Sequence, residues 1–85
     1  MEVNMLSKEA IENKIKYYKE KYPNYLPGSK VDFIIEAYIN VLRNYELGTG
    51  HIEMMIASLQ HIQNERLIPI CRETIQIYKE ILEGE

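Results

Sequence analysis

The sequence predicts an all-α protein, a compact bundle of about four short antiparallel helices formed by residues 1–85 as one helical domain. Three observations carry this. Apolar residues recur at helical spacing through most of the chain. Pro and Gly fall between the periodic stretches, where they end or start helices. No segment shows the alternation or the β-branched runs between turns that strands require.

The central element is Val31 to Tyr45. Val31, Ile34, Ile35, Tyr38, Leu42 and Tyr45 fall in one narrow arc, and Ile39 widens it on one side. Phe33, Ala37 and Val41 extend it on the other, so more than half of the circumference is apolar. A surface helix needs only a stripe, so this helix should be covered on more than one side. Phe33, Ala37 and Val41 pose a choice. A helix packed there gives a self-contained monomer, and an open face there gives a dimer seam.

The other elements follow from their end signals. Ser7 is a reasonable N-cap for a first helix from Lys8 to about Lys21, with Glu9 suited to the dipole of its first turn. Ile11, Ile15, Tyr18 and Tyr22 form its stripe, Tyr17 sits off it, and Pro23 stops it. Pro27-Gly28 suits a type II turn. Tyr25 and Leu26 are apolar for a loop and read first as a plug at the end of the bundle, second as an exposed anchor. Ser29 caps the second helix with Asp32 three residues on, close to a capping box.

The second helix is expected to reach Tyr45 or Glu46 and to end at Leu47-Gly48. Thr49 is the expected cap of a third helix from His51 to about Glu65, although Gly50 weakens that boundary. Ile52, Met55, Ile56, Leu59 and Ile62 share one face of this helix. The opposite face, with His51, Met54, Ala57, Ser58, His61 and Glu65, carries little charge and reads either as an ordinary solvated face or as a contact surface. Pro69 favours a break and a fourth helix from Pro69 to Leu82 over one long kinked helix. Ile70, Thr74, Ile77, Tyr78 and Ile81 form its stripe, and Gly84 and Glu85 are expected to fray.

Composition narrows the function. Eighty-five residues allow one core, and a chain this short buries only about 60% of its extended surface. A partner subunit could supply more. The net charge of −3 offers no bulk attraction to nucleic acid or anionic lipid. A single cysteine excludes an internal disulfide, no apolar run is long enough to span a bilayer, and the first residues lack the features of a signal peptide. The default location is therefore the cytoplasm.

No catalytic constellation emerges, so no catalytic, cofactor or metal residue is assigned and no cofactor is expected. His51 and His61 lie about 15 Å apart along one helix, too far to share a metal within one chain. His61 and Glu65 have the spacing of a surface pair. Arg43 is placed to hold an ion pair at an edge. Cys71 lacks a CxxC partner and reads as a small buried or half-buried side chain.

The function expected is that of a small non-enzymatic protein-interaction or regulatory module, with another protein as partner and a homodimer as one form. Tyr17, Tyr25, Leu26, Met54 and His61 are the candidate contact residues. The alternative is a nucleic-acid-associated regulator contacting its ligand through Lys14, Lys16, Lys19 and Lys21. Against it, the third helix, which would be the recognition helix of a helix-turn-helix with the second, has no lysine or arginine before Arg66.

Overall fold

The computed structural model describes residues 5–84. Four helices form an all-helical bundle: α1 (Lys8–Lys21), α2 (Lys30–Arg43), α3 (Gly48–Gln60) and α4 (Ile68–Glu83). A short 3₁₀ turn, Tyr45–Leu47, joins α2 to α3.

The first two helices begin where their caps require. The Ser7 side chain accepts the Ala10 N–H at 3.1 Å, and Ser29 accepts the Asp32 N–H at 3.3 Å. The reciprocal half of the second box is displaced by one residue. The Asp32 carboxylate accepts the Gly28 N–H at 2.7 Å, while the Ser29 N–H donates to the Leu26 carbonyl. That last bond closes the turn, with Gly28 at φ +81° as type II geometry demands.

Three boundaries differ from expectation. α2 ends at Arg43 rather than Tyr45, because the Asn44 N–H and side-chain amide both return to the Asn40 carbonyl. α3 starts at Gly48, so Thr49 lies inside the helix and caps nothing; Gly48 takes the positive φ of +74° that the turn needs. α3 also stops at Gln60, five residues early. Residues 61–67 form a turn in which the Asn64 side chain accepts the Arg66 N–H and the Asn64 carbonyl accepts from Leu67 and Ile68. The break before Pro69 is therefore real, and Pro69 sits in the first turn of α4.

The core joins Leu6 and Ile11 to Ala37, Tyr38 and Val41, and continues to Ile52, Ile56, Ile77, Tyr78 and Ile81. Burying each large aliphatic side chain stabilises the fold by about 1.5–3 kcal/mol. α2 is indeed covered on two sides, by α1 and by α4. α3 packs on α4 and on the 3₁₀ turn, and is not closely packed on α2. The expectation that α2 is covered on more than one side is therefore met by α1 and α4.

The segment before α1 and the residue after α4 both bond back to the bundle. Leu6 is buried, and its N–H donates to the Ile81 carbonyl at 2.8 Å. The Tyr45 hydroxyl donates to the Leu6 carbonyl at 2.6 Å. Gly84 does not fray: it caps α4 at φ +81°, with its N–H directed to Glu80 and Ile81. Met1 to Asn4 and Glu85 lie outside the described residues.

Candidate functional site: an apolar groove between α2 and α3

Because α2 and α3 both pack on α4 but scarcely on each other, a trough opens above α4. Its volume is about 480 Å³. α2 supplies Phe33, Glu36, Ala37 and Asn40 to one wall. α3 supplies His51, Met54, Met55, Ser58 and Leu59 to the other, and Ile62, two residues past its end, continues that wall. Leu67, Ile70, Cys71, Thr74 and Tyr78 make the floor and one end.

The groove gathers the exposed apolar side chains. Eight large hydrophobic residues are exposed among the described residues, and four of them, Phe33, Met54, Ile62 and Leu67, line this one feature. Met54 is the most prominent, at 69% exposure. Scattered exposed hydrophobics are ordinary; a cluster around a concave apolar surface marks a contact site.

The polar side chains in the groove are few, and some are already engaged. The Thr74 hydroxyl donates back to the Ile70 carbonyl at 3.0 Å. Asn40 interacts with the Tyr78 hydroxyl, which partly offsets burial; burial dominates and pushes the Tyr78 pKa upward. Glu36 is exposed and His51 half-buried. Cys71 is half-buried, as its size and position suggested.

The sequence-derived contact residues do not form one site. Met54 stands on the groove wall, and His61, exposed, immediately precedes Ile62 on its rim. Tyr17 is exposed on α1, which packs on α2 rather than on α3. Tyr25 is half-buried in the α1–α2 loop, and Leu26 beside it is 71% exposed, so Leu26 does not plug the bundle. The spacing-based His61–Glu65 pairing loses its premise, because the helix ends before His61. Arg43 is exposed and makes no ion pair among the described residues; the salt bridge found there joins Lys30 to Glu73 at 2.9 Å.

The lysines of α1 are all exposed. Lys21 is held against aromatic rings: its ammonium donates to the Tyr17 hydroxyl at 3.1 Å and lies 5.4 Å from that ring's centre. The Tyr17 hydroxyl is the main cause of the raised Lys21 pKa. Lys14 and Lys21 share one side of α1, while Lys16 and Lys19 share another, so the four make no continuous basic surface.

The tyrosines build an aromatic ladder on the opposite side of α2 from the groove-facing wall. Tyr18 stacks on Tyr22 and on Tyr38, with ring centres 6.5 and 6.3 Å apart, and Tyr17 meets Tyr18 edge-on at 5.2 Å. Burial, aided by Tyr18 and Glu80, pushes the Tyr38 pKa up to about 12. Among the described residues no cluster of His, Cys, Asp and Glu has the composition of a metal site, and no helix is long and apolar enough to cross a membrane.

Comparison with known proteins adds no relative: no family model, no curated protein and no solved structure matches the chain.

Proposed function

We propose that this protein is a non-enzymatic interaction module of the cytoplasm and that the groove between α2 and α3 is where it binds another protein chain. The observation that supports this reading is the concentration of Phe33, Met54, Ile62 and Leu67 around one concave apolar surface. Helical domains use such troughs to seat an amphipathic helix, whose apolar side chains supply the missing wall. The free energy of such an association comes chiefly from a few large side chains desolvated at the centre of the contact. Met54 is the best placed of these, since its flexible thioether adapts to the shape of what it meets.

Site-specific photo-cross-linking in cells tests the reading. A photoreactive residue in place of Met54 should yield discrete protein adducts, whereas the same residue in place of Tyr17 should not. Equal labelling from both positions, or none from position 54, would refute the assignment of the groove as the binding surface.

A further inference from the structure

We infer that the occupant of the groove is a basic amphipathic helix of another protein, laid lengthwise over α4 with a lysine or arginine against Glu36; this rests on the groove being a protein-binding surface. Charge complementarity points to the cation. Among the described residues no lysine or arginine lines the groove, and Glu36 is its one carboxylate. Glu36 is exposed on the α2 wall between Phe33 and Asn40, with no ion-pair or hydrogen-bond partner among the described residues. Lys30 does not neutralise it, being held by Glu73 at 2.9 Å. A helix covering the groove takes water away from the Glu36 carboxylate. Left unpaired, that charge opposes binding, and a cation beside it offsets the cost through a charge-assisted hydrogen bond. The net charge of −3 steers the encounter in the same direction.

The groove is also graded in polarity along its length. Asn40, near the end of α2, and His51, near the start of α3, stand at the end bounded by the 3₁₀ turn, where the Tyr78 hydroxyl meets Asn40. Ile62 and Leu67 belong to the 61–67 turn at the other end, with Ile70 beside them. A uniformly apolar occupant would cover Glu36, Asn40 and His51 without pairing them, at a cost for each. An amphipathic helix lying lengthwise meets both ends: its large apolar side chains fall over Ile62 and Leu67, and its cation falls one turn further along, against Glu36.

Length sets the register. α3 lines the groove from His51 to Leu59, about 12 Å of helical rise or a little over two turns. The occupant therefore presents a short stripe, with apolar anchors three or four residues apart, and a lysine or arginine one turn beyond them.

A displayed library of amphipathic helical peptides, apolar along the stripe and randomised at the flanking positions, tests this on the whole chain. Selection on the unmodified protein should enrich lysine and arginine in the flanks. The enriched peptides should bind Met54→Asp and Glu36→Lys at least about tenfold more weakly, with the helical circular dichroism spectrum of each variant unchanged. Glu12→Lys makes the same change in net charge on α1, which contributes nothing to the groove, and should alter binding by less than about twofold. Neutral or acidic flanks, equal losses from Glu36→Lys and Glu12→Lys, or no enrichment at all would overturn the basic helix as occupant. Peptides of any charge that lose binding in Met54→Asp would still leave the groove as a binding surface, whereas peptides indifferent to Met54→Asp would refute the groove itself.

Discussion

Tyr45→Phe isolates one hydrogen bond whose loss should be measurable. The Tyr45 hydroxyl donates to the Leu6 carbonyl at 2.6 Å across 39 residues of chain, and the Leu6 N–H donates to Ile81 at 2.8 Å. The two bonds fasten the segment before α1 across the C-terminal end of α4, with the Leu6 side chain 8% exposed in the core. Removing the hydroxyl keeps the ring and deletes one half-buried hydrogen bond. The cost is then the net value of one hydrogen bond, about 1 kcal/mol. For a domain of this size that lowers the thermal midpoint by about 4–8 °C.

Leu6→Ala removes the buried side chain instead and should cost about 2–3 kcal/mol, the lower part of the range for such truncations because a chain end relaxes readily. Thermal unfolding followed by circular dichroism gives both values. Amide exchange at Leu6 should accelerate in the Tyr45→Phe protein, while exchange in the middle of α2 tracks only global stability. If Tyr45→Phe left both the midpoint and the Leu6 exchange unchanged, the fastening of this segment would not depend on the hydroxyl and the reasoning would fail.

The buried tyrosines predict a loss of stability at high pH. Tyr38 is neutral when protonated, and its pKa is raised in the fold to about 12. Its contribution is therefore fully present below the unfolded-state value near 10 and is lost as pH rises from there through about 12. Urea midpoints should hold steady to about pH 9 and fall beyond it, less steeply in Tyr38→Phe. A wild-type midpoint independent of pH up to 11.5 would contradict this. At the α1–α2 turn, Gly28→Ala should cost roughly 1 kcal/mol through its positive φ alone, since nothing lies near enough to clash. An unchanged urea midpoint would count against the turn geometry. Ser29→Ala should cost about as much through the lost cap, while Lys30→Ala should leave the thermal midpoint unmoved, because the Lys30–Glu73 pair is well exposed.

The sequence was most legible where local chemistry alone sets the structure. Ser7, Pro23, Ser29 and the Pro27-Gly28 turn specify the bounds of α1 and the start of α2 through backbone groups a few residues away. The ends of α2 and α3 were hidden because apolar spacing runs past them. Tyr45 and Ile62 continue their stripes in sequence, although Asn44 and His61 have already left the helix. The turn at Asn64 carried its own signal, an Asn whose side chain can close a turn ahead of Pro69.

The groove was only half legible. Periodicity shows that a face is apolar, but not which element covers it. The question raised by Phe33, Ala37 and Val41 has a divided answer: Ala37 and Val41 are buried, while Phe33 remains exposed on the groove wall. Met54 and His61 were identified from the weak charge of their face. Ile62 was assigned to the core face, and Leu67 carried no pattern at all, because its place on the floor depends on α4 crossing beneath both walls.

The central claim is that the groove between α2 and α3 binds a protein chain, and photo-cross-linking from position 54 tests it most directly. Discrete protein adducts are expected from position 54 and none from position 17. No adduct at 54, or adducts of the same pattern and yield at both positions, would contradict it.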